Sequence, residues 1–238
     1  MAIKAIIFDW NDTITDQSST FSYLLEKKID QKIMQNFGIK VDDEVFLSGM
    51  RKTNKELRKV TSIKAKELPG LWTKIFFKQI GLKVDDEISK LIQEEYENYY
   101  LLNIKLNPNV AETVSVLKQK KIQLFLLTNC IRSSLNKELA KFGFGELFSK
   151  IVTGSDAGEK TTSEPFKLLL GIMQNEFRGE IRPQDCLMVG NSPENDLLAA
   201  KFGIHTAIYD KTGKYKDLKG MEFHVKDFLE LVQLVDEV

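Results

Sequence analysis

Short apolar runs alternate with longer amphipathic segments through much of this chain. The first run, Ile3–Asp9 (IKAIIFD), is stopped by polar residues and predicts a fully buried strand. Similar runs recur in the second half of the sequence and predict strands at Ile122–Leu127, Lys150–Thr153, Cys186–Val189, His205–Tyr209 and Phe223–Val225. Because strands that alternate with helices form right-handed crossovers, the pattern predicts an α/β fold with a doubly wound, Rossmann-like parallel sheet.

The segments between these runs have the spacing of amphipathic helices. Pro108 begins one that continues to Lys118, in the first-turn position that proline favours. The others are predicted over Ser133–Phe142, Ser163–Phe177, Asp196–Phe202 and Lys226–Val235. Gly143 and Gly203 follow two of these segments, as expected for left-handed C-caps.

A region without strand-like runs interrupts this pattern early in the chain. It contains helix-period segments at Phe21–Phe37, Asp43–Thr61, Leu71–Ile80 and Asp85–Leu102. We therefore predict a helical domain over residues 17–106, inserted into a core domain built from residues 1–16 and 107–238.

Composition narrows the class of protein. The 34 basic residues balance 34 acidic ones, so there is no strong positive field and no nucleic-acid partner is expected. Cys130 and Cys186 are too few for a disulfide framework, which indicates a reducing, cytoplasmic compartment. No signal peptide is recognisable, and no apolar stretch approaches the roughly 20 residues that span a bilayer, so no membrane partner is expected.

Chemically useful side chains follow the predicted strands. Asp9–Thr13 (DWNDT) follows the first strand, Thr128 and Asn129 the second, Lys160 the third, and Gly190–Asp196 (GNSPEND) the fourth. Ligands of such sheets bind at the carboxyl ends of the strands. A carboxylate there can form an ester intermediate, a lysine and a hydroxyl can stabilise phosphoryl oxygens, and oxygen ligands suit Mg²⁺. This edge is therefore a candidate active site.

In order and spacing, these runs resemble the four motifs of the haloacid dehalogenase-like (HAD) hydrolases, most of which are Mg²⁺-dependent phosphatases. The motifs read FDWNDT, LFLLTN, KTTSEPF and GNSPEND, and the resemblance covers nearly the whole chain. The third motif lacks both of its usual prolines, although Lys160 and Phe166 keep the spacing. The helical insert resembles the family's cap domain, which closes over the site and excludes water.

The resemblance implies a role for each matched residue. Asp9 is expected to be the catalytic nucleophile and a metal ligand. Thr128 is expected to bind phosphoryl oxygens, and Asn129 to line the pocket as a donor. Lys160 is expected to stabilise the charge on those oxygens. Asp196 is expected at the metal site, where it orients Lys160 and a metal-bound water.

Three positions depart from the family's phosphatase pattern. Asn11 replaces the general acid/base aspartate, whose help is typically worth roughly 10²–10⁴ in rate. Its backbone carbonyl can still bind Mg²⁺, and Asn191, in place of an acidic ligand, can offer its amide oxygen. We expect Mg²⁺ to bind more weakly as a result. Asp12 replaces the usual glycine, and is either a turn residue with positive φ or the missing acid.

Three functions remain open at this point. The first is a Mg²⁺-dependent phosphatase that acts on a small phosphorylated metabolite through an aspartyl-phosphate on Asp9. The second is a catalytically impaired binding or regulatory protein on the same scaffold. The third is a metal-independent, dehalogenase-like hydrolase, although the spacing of the fourth motif does not favour it. The sequence identifies neither the substrate nor the oligomeric state.

Overall fold

The computed structural model of the protein describes residues 3–17, 23–57, 59 and 70–237. Its centre is a six-stranded sheet in the order β3-β2-β1-β4-β5-β6, in which every neighbouring pair is parallel. The strands are β1 (Ala5–Phe8), β2 (Gln123–Leu127), β3 (Lys150–Val152), β4 (Cys186–Gly190), β5 (His205–Tyr209) and β6 (Phe223–Val225). The predicted doubly wound parallel sheet is confirmed.

The chain divides into two compact units, Met1–Asp16 with Lys105–Val238, and Gln17–Ile104. The second unit contains the helices α1 (Tyr23–Asn36), α2 (Asp43–Leu57), α3 (Leu71–Gln79) and α4 (Asp86–Asn103). Within it, Phe46 of α2 packs on Phe76 of α3 with ring centroids 5.1 Å apart, and Phe76 also stacks on Trp72. The predicted continuations at residues 21–22 and 60–61 lie outside the described residues.

The boundary between the units falls two residues before the predicted one. Residues 105 and 106 belong to the sheet unit, because the N–H of Asp16 donates to the carbonyl of Lys105 and Thr15 forms an antiparallel bridge with Leu106. Asn107 extends this contact, since its side-chain amide donates to the carbonyls of Thr13 and Thr15.

Helices cover both faces of the sheet. They are α5 (Val110–Gln119), α6 (Arg132–Phe142), α7 (Gly154–Ala157), α8 (Glu164–Glu176), α9 (Pro193–Asp196) and α10 (Glu230–Glu237). Successive side chains of β1 point to opposite faces, so Ile6 and Phe8 belong to one apolar cluster, and Ala5 and Ile7 to the other. This two-sided burial explains why the strands read as continuous apolar runs. None of the described helices is long and apolar enough to cross a membrane.

Three helix predictions were wrong in detail. Helix α5 begins at Val110 rather than Pro108, because Asn109 adopts a left-handed φ of 62° just before it. The segment after Asp196 is a 3-10 helix, Leu197–Phe202, although Gly203 ends it with the expected left-handed φ of 78°. Helix α10 begins at Glu230 rather than at Lys226, after a turn in which the side chain of Asp227 accepts a hydrogen bond from the N–H of Leu229.

Candidate active site

Asp9 and Thr128, the first residues of two candidate segments, are held by backbone hydrogen bonds at the carboxyl edge of the sheet. The N–H of Asp9 donates to the carbonyl of Val189 at 2.9 Å, and the N–H of Thr128 donates to the carbonyl of Val152 at 3.0 Å. These bonds continue the ladder beyond β1 and β2, so both residues have little backbone freedom. The strand ends therefore place Asp9 and Thr128 where ligands of open α/β sheets bind.

A buried lysine joins two carboxylates at this edge. The Nζ of Lys160 donates to Oδ1 of Asp9 and to Oδ1 of Asp196, each at 2.6 Å. All three residues are buried, with exposed fractions of 2% for Lys160, 7% for Asp9 and 1% for Asp196. Two negative charges against one positive charge leave the group with one net negative charge. We call Asp9, Lys160 and Asp196 the buried triad.

Burial and charge act in opposite directions on the ionisation of the triad. Burial of the Asp9 carboxyl, together with the nearby charge of Asp196, raises the pKa of Asp9 to about 6, and the ammonium of Lys160 offsets only part of this increase. Burial alone would lower the pKa of Lys160, but the two carboxylates outweigh burial and raise that pKa above its ordinary value. Lys160 is therefore a permanent cation at neutral pH.

Asp196 reaches Lys160 because the strand β4 ends in a glycine. A Cβ atom on Gly190 would lie 2.1 Å from Oδ2 of Asp196, so any other residue there would displace the carboxylate. The same Oδ2 accepts a hydrogen bond from the N–H of Ser192 at 2.9 Å. Both oxygens of Asp196 are thus held within the protein, one by Lys160 and the other by the backbone of its own loop.

Oxygen ligands converge beside the triad. The hydroxyl of Thr13, which is fully buried, lies 3.4 Å from Oδ2 of Asp9 and 3.4 Å from Oδ1 of Asn191. A carboxylate and an amide oxygen that face one point are the hard ligands that Mg²⁺ prefers, so these residues fit this ion. Among the described residues, no group of three or more His, Cys, Asp or Glu side chains could hold a metal. The site therefore offers Mg²⁺ few charged ligands.

The loop after Asp9 is a tight turn. Asp12 has a left-handed φ of 55°, and the N–H groups of Thr13 and Thr15 both donate to the carbonyl of Trp10. Aspartate tolerates this conformation better than most residues, which supports the turn interpretation of Asp12. The indole of the buried Trp10 donates to Oε2 of Glu138 at 2.7 Å and so anchors the start of the turn.

Asn129 connects two segments of the site. Its Oδ1 accepts a hydrogen bond at 2.7 Å from the backbone N–H of Lys160, a residue 31 positions further along the chain. The backbone at Asn129 also passes close to Gly154, where a Cβ atom would lie 2.6 Å from the Asn129 carbonyl oxygen. Asn129 therefore fixes the segment that carries Lys160, in addition to its predicted place in the pocket.

Asn11 contacts a cysteine. The Sγ of Cys130 lies 3.3 Å from Oδ1 of Asn11, at hydrogen-bonding distance for a thiol donor. Burial raises the pKa of Cys130 to about 12, so the sulfur carries its proton at neutral pH. Cys130 and Cys186 are both free thiols.

The structure thus places the predicted residues at one edge of the sheet, and two residues that were not predicted contact them there. Asp9, Lys160 and Asp196 are in direct contact, Asn191 joins them through Thr13, and Asn129 and Asn11 lie in neighbouring loops. Thr13 was not among the predicted site residues, although its position in the first motif was a signal. Cys130 was also missed, because nothing in the sequence pattern separates it from an ordinary core cysteine.

The sheet order defines a Rossmann-like α/β protein, and the buried triad lies in its candidate active site. More particularly, the family model of the haloacid dehalogenase-like hydrolases matches residues 3–202, so the chain belongs to this family. The fold is similar to that of a solved 2-haloacid dehalogenase from Pseudomonas syringae pv. tomato, with a TM-score of 0.73 and 18% identity over 99% of each chain. It is also similar to a solved HAD phosphatase from Thermococcus onnurineus, with a TM-score of 0.63 and 20% identity over 98% of this chain and 97% of that one.

Curated relatives are phosphatases. The chain is 26% identical over 238 residues to a glyceraldehyde 3-phosphate phosphatase from Methanocaldococcus jannaschii, which covers 99% of this chain and 97% of the relative. It is 33% identical over 133 residues to a phosphoglycolate phosphatase from Haemophilus influenzae. That second match covers 54% of this chain and spans about half of the relative, at 55% of its length.

Proposed function

We propose that the protein is a Mg²⁺-dependent phosphatase that hydrolyses a small phosphorylated metabolite through an aspartyl-phosphate on Asp9. The observation that carries the proposal is the buried triad, because an ammonium held 2.6 Å from a carboxylate can stabilise the phosphoryl group that this carboxylate attacks. The names of the curated relatives support a small phosphate ester as the substrate. We also propose that the helical unit is the cap that selects this ester, in a cytoplasmic enzyme.

The reaction has two displacements at phosphorus. In the first, an oxygen of the Asp9 carboxylate forms a bond to phosphorus while the bond to the alcohol oxygen breaks. In the second, water attacks the aspartyl-phosphate, which releases phosphate and restores the carboxylate. Lys160 and Thr128 bind the phosphoryl oxygens during both steps, and Asp196 holds Lys160 in place through its 2.6 Å contact. Because Asn11 cannot transfer a proton, the departing alcohol oxygen takes its proton from solvent, and the water that attacks in the second step releases a proton to solvent.

Three residues would hold the metal. They are Asp9 through Oδ2, Asn11 through its backbone carbonyl, and Asn191 through Oδ1, with Asp196 acting through a water. Support comes from the buried hydroxyl of Thr13, which lies 3.4 Å from both Oδ2 of Asp9 and Oδ1 of Asn191. When bound, Mg²⁺ supplies positive charge to the phosphoryl oxygens and brings them to Asp9.

A panel of phosphate esters tests the proposed function. Phosphate release from sugar phosphates, phosphorylated hydroxy acids and aryl phosphates would be measured with Mg²⁺ and with excess EDTA. We expect turnover of at least one small ester with Mg²⁺, and its loss in EDTA. Full activity in EDTA would instead support the dehalogenase-like alternative, and chloride release from a 2-haloacid would then be measured.

The first specific prediction concerns the affinity of the site for Mg²⁺. Because Asn191 is a neutral ligand, we expect half-saturation by Mg²⁺ in the wild type to lie about tenfold or more above that of Asn191→Asp, which restores a charged ligand. Activity at saturating Mg²⁺ should differ less between the two proteins. Titration of activity with Mg²⁺ measures both quantities, and Asn195→Asp, which adds the same charge to the same loop, serves as the control. Equal half-saturation in all three proteins would contradict a ligand role for Asn191.

The second specific prediction concerns the general acid that is missing at position 11. We expect Asn11→Asp to raise kcat for alkyl phosphates by about 10- to 100-fold, because their leaving oxygens need a proton. Aryl phosphates have good leaving groups and should gain less. Rates on both ester types at saturating Mg²⁺ separate this effect from tighter metal binding. No gain on either type would show that Asn11 does not limit the rate.

One observation favours a second function. The side chain at position 11 is an amide whose oxygen is already in contact with Cys130, so the site has no general acid there. If the ester panel shows no turnover, the protein is better described as a phosphate-ester binding protein on this scaffold. Calorimetric titration with the same esters then measures the binding directly.

A further inference from the structure

Asn107 binds three consecutive backbone carbonyls of the segment that follows the proposed nucleophile. Its side-chain Nδ2 donates to the carbonyl of Thr13 at 2.7 Å and to that of Thr15 at 3.0 Å, and its backbone N–H donates to the carbonyl of Ile14 at 2.9 Å. Because carbonyl oxygens accept hydrogen bonds and do not donate them, the two side-chain contacts fix which end of the amide faces the segment. Asn107 is only 2% exposed, so these bonds are shielded from solvent.

The other end of the Asn107 amide faces a lysine. Its Oδ1 lies 3.5 Å from Nζ of Lys211, and the same Nζ donates to Oδ1 of Asp16 at 2.6 Å. Lys211 follows the carboxyl end of β5 by two residues, so it lies at the same edge of the sheet as the site. Since an ammonium donates and does not accept, this contact favours the same orientation of the amide. Both ends of the amide thus support one orientation of Asn107.

The segment that Asn107 holds leads directly to the candidate metal site. On its other side, the N–H of Thr13 donates to the carbonyl of Trp10, so the backbone of Thr13 is held from both sides. The buried hydroxyl of Thr13 lies 3.4 Å from Oδ2 of Asp9 and 3.4 Å from Oδ1 of Asn191. A shift of the backbone at Thr13 would therefore move this hydroxyl away from both oxygens.

We propose that Asn107 is a positioning residue for Mg²⁺, because it fixes the Thr13 hydroxyl between two of the proposed ligands, Asp9 and Asn191. The proposal rests on the metal site of the proposed function and deepens it. Residues that orient metal ligands typically contribute roughly 10- to 100-fold to metal affinity. Asn107 acts through one further residue and touches neither proposed ligand, so we expect a smaller contribution from it.

Calorimetric titration of Mg²⁺ into the ester-free protein tests this role. Asn107→Leu keeps a similar branched shape but has no side-chain donor, so we expect the Kd for Mg²⁺ to rise by about three- to tenfold. The Kd is measured on folded protein, so a loss of stability alone does not change it. In the ester assay, half-saturation by Mg²⁺ should rise by the same factor. The value of kcat at saturating Mg²⁺ should stay within about twofold, since Asn107 does not touch the ester.

A second asparagine provides the matched control. Nδ2 of Asn103 also donates to a backbone carbonyl, that of Tyr99 at 2.7 Å, but it does so within the helical unit. Asn103→Leu should therefore leave the Kd for Mg²⁺ unchanged. Asn107→Ala is smaller and also lacks the donor, so it replaces Asn107→Leu if that variant does not fold.

A double-mutant cycle tests whether Asn107 acts through Thr13. In a Thr13→Val background no hydroxyl remains to be positioned, so adding Asn107→Leu should raise the Kd by less than about twofold. Fully additive effects, or a folded Asn107 variant with the wild-type Kd, would overturn the positioning role and leave the phosphatase proposal intact. A wild type that binds Mg²⁺ but cleaves no ester would overturn the proposed function alone. A wild type that binds no Mg²⁺ would overturn both.

Discussion

Asp9→Asn is expected to lower turnover by about 10³-fold or more while the protein remains folded. The amide nearly matches the carboxylate in shape, but it cannot act as the nucleophile toward phosphorus. The free energy of unfolding should change by only about 1 kcal/mol, since the variant loses an ion pair but no longer buries a second carboxylate beside Asp196. Phosphate release and circular dichroism of the purified variant measure the two quantities.

The neighbouring Asp12 supplies the control for this prediction. Asp12→Asn makes the same chemical change three positions away, and asparagine tolerates the left-handed φ of 55° found there. If Asp12 is a turn residue, this variant should keep most of the wild-type rate. Retention of more than a few per cent of the rate by Asp9→Asn would remove Asp9 from the mechanism. A large loss in Asp12→Asn would identify Asp12 as the missing acid.

Removal of the lysine from the triad should affect both stability and activity. Lys160→Met leaves Asp9 and Asp196 buried without their shared cation, which we expect to lower the free energy of unfolding at pH 8 by about 3–5 kcal/mol. We also expect kcat/KM to fall by about 10²-fold or more, since no ammonium remains to stabilise the phosphoryl oxygens. Chemical denaturation and the phosphate-release assay test the two parts separately.

The stability of Lys160→Met should fall as the pH rises. The pKa of Asp9 is already raised from 3.8 to about 6 in the folded wild type, and loss of the ammonium raises it further. The folded variant therefore binds a proton that the unfolded chain releases near pH 4. Its stability is greatest below that pH and is lost as the pH rises through the folded pKa, above about 6. Lys160→Met should thus be clearly more stable at pH 5 than at pH 8.

Two companion variants make this test specific. Adding Asp196→Asn to Lys160→Met removes one of the two stranded carboxylates, so stability at pH 8 should recover in part while activity does not. Lys167→Met breaks the exposed ion pair with Glu164 and should leave the free energy of unfolding almost unchanged. If Lys160→Met is as stable as Lys167→Met at pH 8, the triad does not hold two ionised carboxylates.

The sequence predicted the elements of the sheet closely, and the reason is physical. A strand buried on both faces is apolar at nearly every position, so β4 was predicted to within one residue of its observed bounds. The shorter strands β5 and β6 were predicted at their observed bounds, although both contain a histidine. The start of α5 was not predictable in this way. It depends on the left-handed conformation of Asn109, which propensities do not fix.

Contacts between side chains of different motifs were less accessible to sequence reasoning. The positions of Asp9, Lys160 and Asp196 at strand ends follow from the topology, and the order of the motifs indicated that they would meet. The tether from Asn129 to the backbone of Lys160, and the contact between Cys130 and Asn11, depend instead on rotamers and loop paths. The spacing of residues in the sequence does not indicate rotamers or loop paths.

The central position of β1 has a consequence for biosynthesis. Ala5–Phe8 pairs with Gln123–Leu126 on one side and with Cys186–Val189 on the other, so its first partner emerges from the ribosome more than a hundred residues later. The helical unit, Gln17–Ile104, is made entirely within that interval and has its own apolar core. During translation the helical unit can fold before β1 has paired with another strand, because domains generally fold as units. The nascent chain acquires its catalytic edge only once β4 and Asp196 have left the exit tunnel.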